Sequence, residues 1–122
     1  MTAARYDITI DQGSDFALEL IVKESGQTKD FQATGGNTWG ARAKFRKTLE
    51  DTVSYNLGAA VTQDDTGKLV LTHAFSDNTD APAGTYLYDV EIFQHTTNDT
   101  SAVHQVTRLL SGNLTLRREV TR

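Results

Sequence analysis

The sequence has no cysteine, one proline and one tryptophan in 122 residues. Without cysteine there is no disulfide framework, no thiolate nucleophile and no Cys-based zinc site. The single proline, Pro82, closes a loop, and no low-complexity linker or internal repeat divides the chain. No apolar run approaches the roughly 18–20 residues that a membrane helix needs. The opening Met1, Thr2, Ala3, Ala4, Arg5, Tyr6 has no apolar signal-peptide core, so no cleaved leader and no membrane partner are expected. His73, His95 and His104 stand at none of the H-x-H, H-x₃-H or H-E-x-x-H spacings of metal sites. The acids at Asp64, Asp65, Asp77 and Asp80 lack the alternation and terminal glutamate of a calcium loop, and read as turn residues. There is no G-x-S-x-G and no glycine-rich phosphate loop opening a helix. No enzyme, metal or cofactor is expected.

Positive charge is also short, with 12 Lys and Arg against 16 Asp and Glu, a net charge of −4 and a pI near 5.2. Hydrophobic residues make up 38% and charged residues 23%. That balance suits a soluble globular chain and excludes disorder. The length suits one domain, 1–122, with a single core.

What is abundant is strand chemistry. There are 18 threonines, and Thr, Val, Ile and aromatics favour a pleated, half-buried surface. Tyr6, Ile8 and Ile10 alternate with polar residues, and Phe16, Leu18, Leu20 and Val22 do so again after a turn at 11–14. Trp39, Ala41, Ala43 and Phe45 alternate with Gly40, Arg42, Lys44 and Arg46. A short strand is expected at Val53 and Tyr55, and another over Lys68–His73 after the turn Asp64-Asp65-Thr66-Gly67. In 84–94, Tyr86, Tyr88, Val90 and Ile92 oppose Leu87, Asp89, Glu91 and Phe93. The stretch 103–116 changes parity, which predicts a bulge near Leu110, Ser111 and Gly112. One helical turn is allowed at 74–78, and 96–101 reads as a hairpin loop.

About seven short strands with frequent turns predict an all-β fold, an antiparallel immunoglobulin-like β-sandwich. Its expected core is Phe16, Leu18, Leu20, Trp39, Ala41, Phe45, Leu69, Leu71, Tyr86, Tyr88, Val90 and Ile92. The run Pro82-Ala83-Gly84-Thr85-Tyr86 resembles a tyrosine corner, in which the Tyr86 hydroxyl bonds backbone in the 80–84 turn.

One charge feature stands above background. Arg42, Lys44 and Arg46 share a strand face, and no acid interrupts positions 39–49. Pairing with Asp89 and Glu91, contact with a protein partner, and nucleic-acid binding are the three readings. The last wants interleaved aromatics and a basic total, and neither is present. The second candidate surface is the tail, Arg117, Arg118 and Arg122, which follows an apolar strand with no flexible spacer. It is expected to lie ordered against a neighbouring subunit. Together the stripe and the tail are the candidate partner-binding residues.

Several segments carry a resemblance. They are Tyr6-Asp7-Ile8-Thr9-Ile10-Asp11-Gln12-Gly13, the pattern Phe16-x-Leu18-x-Leu20, and the strand ending in basic residues after Trp39. Pro82-Ala83-Gly84-Thr85-Tyr86-Leu87-Tyr88-Asp89-Val90-Glu91 is the fourth. The last is Arg108-Leu109-Leu110-Ser111-Gly112-Asn113-Leu114-Thr115-Leu116, closed by Glu119-Val120-Thr121-Arg122. In this order they resemble the immunoglobulin-like domain at the N-terminus of tailed-bacteriophage upper baseplate proteins, and stand-alone tail proteins of similar size. The Gly/Thr loop at 32–37 and the long tip at 96–101 depart from that pattern. The resemblance implies a non-enzymatic virion protein, assembled in the host bacterial cytoplasm. It would be an adaptor in the tail or baseplate, present in several copies, that helps attach fibres or receptor-binding proteins. The alternatives are a head decoration protein and, after it, a carbohydrate-binding module. Nucleic acid is not an expected partner.

Overall fold

Strict alternation in the sequence becomes strand almost everywhere. The structure, a computed structural model, describes residues 4–33, 35–74, 76, 77, 80–96 and 99–118. Among these every regular element is a strand: β1 (Ala4–Arg5), β2 (Ile8–Asp11), β3 (Phe16–Ile21), β4 (Lys23–Glu24), β5 (Gln27–Thr28), β6 (Asn37–Arg46), β7 (Tyr55–Val61), β8 (Lys68–His73), β9 (Gly84–Thr96) and β10 (Asp99–Arg117). The fold is all-β, as the alternation predicts. The strand count exceeds seven for two reasons. The N-terminal strand is split into β1 and β2, and β4 and β5 form a small separate hairpin.

One hydrogen-bonded path runs β1, β10, β9, β6, β7, β8, β3, with β2 also on β10. It curls at β7. The first three residues of β7 pair with β6, Leu57 opposite Ala43. The next four pair with β8, Gly58 opposite Thr72. The apolar faces on both sides of this corner thereby close over one core.

The expectation of an antiparallel sheet throughout is corrected by the N-terminus. β1 and β2 both run parallel to β10, with Ala4 opposite Leu110 and Ile8 opposite Leu114. Period-two patterning reports which face is buried, not strand direction. A parallel pair needs a long connection, and here most of the chain supplies it. The break between β1 and β2 falls where Tyr6 and Asp7 cross Gly112. The Tyr6 N–H donates to the Ser111 carbonyl at 3.0 Å, and the Asp7 carboxylate accepts from the Asn113 N–H at 2.9 Å. A Cβ on residue 112 would stand 2.3 Å from the Tyr6 carbonyl oxygen, so this crossing requires glycine.

The buried core contains seven of the expected residues: Phe45, Leu69, Leu71, Tyr86, Tyr88, Val90 and Ile92. Phe16, Leu18, Leu20, Trp39 and Ala41 pack against it only partly buried. Three of them are on β3, which ends the hydrogen-bonded path, and Trp39 and Ala41 are on the part of β6 that β7 does not pair with. Ile8, Ile10, Ala43, Leu57, Leu114 and Leu116 join the core from the same faces, and Ala81 and Phe31 enter it from loops. Phe31 is fully buried and meets Trp39 edge-on, with ring centroids 5.8 Å apart. Phe45 stacks on Tyr55 at 5.3 Å and meets Tyr86 edge-on at 5.1 Å.

The tyrosine corner forms as expected, with the Tyr86 hydroxyl donating to the Pro82 carbonyl. The bulge lies slightly earlier than predicted. Register shifts between Arg108 and Leu110, and again between Val103 and Gln105. Leu109 is therefore the extra residue that explains the change of parity. At 74–77 the Asp77 N–H donates to the Ala74 carbonyl at 2.9 Å, one turn rather than a helix. Residues 75 and 78 of that segment, and 97 and 98 of the expected 96–101 loop, lie outside the described residues.

Candidate functional site: a basic basin on the sheet's outer face

Antiparallel register turns sequence spacing into a surface grid. On the outer face, Arg42 of β6 lies opposite Glu91 of β9, and Glu91 opposite Arg108 of β10. The next row is Lys44, Asp89 and Ser111, with Arg5 of β1 opposite Ser111. The third row sets Arg46 against Leu87, and Leu87 against Asn113. Acids thus occupy the central strand and cations the strands beside it. All of these residues except Asn113 line an open basin of about 650 Å³, and Leu49 lines it too, at one lip.

The basin gathers the whole predicted stripe, Arg42, Lys44 and Arg46, and adds Arg5 and Arg108. Sequence reading missed these two. Arg5 comes from the N-terminal strand through parallel pairing, which no local pattern reports. Arg108 sits just before the bulge and shares the outer face with Glu91.

The internal charge pairing is partial. Arg42 Nε lies 3.6 Å from Glu91 Oε1, and Arg108 Nε lies 3.5 Å from Asp89 Oδ2. All four side chains keep 30% or more of their surface exposed, so each pair is worth under about 1 kcal/mol. Arg5 pairs with Asp7 at 3.4 Å on the open surface. Arg46 donates through Nη1 to the Asp51 carbonyl, 3.3 Å away. Lys44 faces Asp89 in register but makes no ion pair among the described residues. Of the chain's 12 cations and 16 acids, five cations and two acids line the basin, leaving seven cations against fourteen acids elsewhere in the sequence.

The outward aromatic of β9, Phe93, is not an open platform. Its ring lies over Gly40, where a Cβ would meet it at 2.7 Å. The Arg42 guanidinium covers it at 5.0 Å from the centroid.

The tail divides. Arg117 ends β10 opposite Asp11 of β2, and its Nε donates to Asp11 Oδ1 at 2.7 Å. That hydrogen bond to the guanidinium holds the Asp11 carboxyl below its ordinary range. Arg117 is thus committed within the chain. Arg118 is exposed just beyond the strand, and Arg122 lies outside the described residues. The structure does not bring Arg117 or Arg118 into the basin.

A second, smaller concavity of about 260 Å³ opens between β3 and β10 and is lined mainly by apolar side chains, among them Leu20, Leu109 and Leu110. Among the described residues no group of three or more His, Asp or Glu side chains is placed to hold a metal ion. No helix among them is long and apolar enough to cross a membrane.

Fold and basin together define a class: an all-β protein with a sandwich-like core and one basic sheet face. No protein-family model and no curated protein sequence matches the chain.

Proposed function

We propose that the chain is a non-enzymatic virion structural domain of a tailed bacteriophage. It is an immunoglobulin-like sandwich that serves as an adaptor in the tail or baseplate and helps attach fibres or receptor-binding proteins. The single observation that carries this reading is the basin, five cations on one sheet face of an acidic chain. Segregating like charges costs self-repulsion unless a partner of opposite charge offsets it. Arginine also favours protein interfaces, since its planar fork pairs with carboxylates and stacks on aromatics. The sequence resemblance across most of the chain supplies the virion context by analogy, because a fold alone does not fix function. The curl at β7 and the tyrosine corner at Tyr86 support the immunoglobulin-like description.

A head decoration protein would use the same docking chemistry on a capsid. The carbohydrate-binding reading is weaker, since Phe93 is covered by Arg42 and offers no free stacking face.

The test is immunogold labelling of particles purified from cells that express the chain with the rest of its phage. Label on the tail or baseplate supports the adaptor. Label on the head replaces it with decoration, and particles without label refute both.

A further inference from the structure

The basin's charges are not evenly satisfied. Asp89 and Glu91 are taken by Arg108 and Arg42. At the other end Lys44 faces Asp89 in register but makes no ion pair among the described residues, and the hydrogen bond found for Arg46 among them goes to the neutral carbonyl of Asp51. Two residues apart on one strand, their side chains emerge about 7 Å from each other. Two cations at that spacing repel by roughly 0.6 kcal/mol in water and more in a lower dielectric. One carboxylate placed between them would answer both.

Beside this uncompensated end the surface turns apolar. Leu87 lies opposite Arg46 and is 36% exposed, and Leu49 on the lip is 76% exposed. A single exposed leucine is ordinary. Two of them bordering an unsatisfied cation pair form a surface of mixed chemistry. Lys44 and Leu87 are diagonal neighbours across the β6–β9 pair, a separation of about 7–8 Å. In an extended chain, residues i and i+2 point to the same side about 6.6–6.8 Å apart. The two spacings match.

We propose that this end of the basin holds an extended segment of a partner polypeptide, in which an Asp or Glu is followed two residues later by a large apolar side chain. The carboxylate pairs with Lys44 within reach of Arg46, and the apolar side chain covers Leu87 and Leu49. The proposal rests on the docking reading above and names the chemistry of the partner. A nucleic acid fits less well. Phosphates have no use for the two leucines, and seven cations against fourteen acids outside the basin repel a long polyanion.

The test uses the purified chain and two fluorescein-labelled ten-residue peptides of equal composition. One carries Asp-Ser-Phe, acid and ring on one face of an extended strand. The other carries Asp-Phe-Ser, which puts them on opposite faces. Fluorescence anisotropy is read at about 50 and 300 mM salt. The first peptide is expected to bind saturably, at least about tenfold tighter than the second, and more weakly in high salt. Lys44→Glu and Leu87→Ser should each weaken it about tenfold with an unchanged melting curve.

Equal binding of the two peptides, or no binding, overturns the proposal, and this comparison needs no variant to fold. Tighter binding of a 20-nucleotide single strand overturns it in favour of nucleic acid. A dimer in sedimentation that Lys44→Glu abolishes overturns it in favour of a second copy of this chain. None of these failures alters where the protein labels a particle, so failure of the peptide reading and failure of the virion reading stay distinct.

Discussion

Replacing Tyr88 with Phe should reverse the ranking of variant and wild type between neutral and strongly alkaline pH. Tyr88 is 4% exposed, and its hydroxyl donates to the carbonyl of Tyr6. That bond ties the middle of the sheet to the N-terminal segment. Burial first, then the nearby Asp7 carboxylate and Tyr6 phenol, push the Tyr88 pKa from 10.0 up to about 12, while Arg5 pulls the other way. A pKa raised on folding means that the folded state holds the proton more tightly. The associated stability is complete below pH 10 and is lost as pH rises through about 12. At about 1.4 kcal/mol per unit, roughly 2–3 kcal/mol disappears across that window. The Phe variant has no such loss. It forfeits the hydrogen bond, about 0.5–1.5 kcal/mol. The low end applies because Tyr6 is 45% exposed and water can reach it. At pH 8 the variant should therefore be less stable by about 0.5 kcal/mol, and at pH 12 more stable by roughly 1.5–2 kcal/mol. Urea unfolding followed by far-UV circular dichroism at pH 8, 10, 11 and 12 reads this directly. Tyr86, also raised by burial, titrates in both proteins and cancels in the difference. Parallel pH profiles for the two proteins would refute the reasoning.

Three further outcomes follow from the packing. Phe45→Ala empties a fully buried site between Tyr55 and Tyr86 and should cost about 3–5 kcal/mol in urea unfolding; a loss under about 1 kcal/mol would mean the aromatic cluster is not packed as described. Gly112→Val drives side-chain atoms into the Tyr6 backbone and should cost about 1–3 kcal/mol. Hydrogen exchange should then quicken in β1 and β2 while β6 and β9 stay protected, and uniform quickening would contradict a local crossing. Burial lowers the pKa of His73 from 6.5, against an upward pull from Asp77, so its contribution is complete above about pH 6.5 and lost as pH falls through the lowered value. The melting temperature should drop from pH 7 to pH 5 more steeply in wild type than in His73→Gln, and equal slopes would exclude this histidine as the cause.

Much of the sheet is legible in the sequence because the core face repeats every second residue. β3 and β9 each carry three or more large apolar residues at that period, β6 carries Trp39 and Phe45 with alanines between them, β8 carries Leu69 and Leu71, and each forms where the pattern puts it. β7 was expected as a short strand at Val53 and Tyr55, yet it runs from Tyr55 to Val61. Its second half is Gly58, Ala59 and Ala60, side chains too small to print an alternation. Phe31 was invisible as core because a lone aromatic in a Gly/Thr-rich loop has no period, and a backbone bond from the Phe31 N–H to the Asp64 carbonyl at 2.8 Å seats it. The parallel direction of β1 and β2 depends on Gly112, more than one hundred residues away, and no window of sequence contains both. The site was half legible for the same reason. Arg42, Lys44 and Arg46 lie on one strand and were readable together, whereas Arg5 and Arg108 join them only through register. Arg117 looked like part of a free basic tail, but its partner, Asp11, is brought beside it by that same parallel pairing.

Under the proposed function, the Lys44 and Arg46 end of the sheet's outer face is where this protein joins a larger particle. The direct measurement is incorporation of the double variant Lys44→Glu, Arg46→Glu into phage particles beside wild type, quantified by mass spectrometry of purified particles. The two proteins should first be matched for melting temperature. The variant is expected to lose at least about tenfold in incorporation. Incorporation at the wild-type level would contradict that placement.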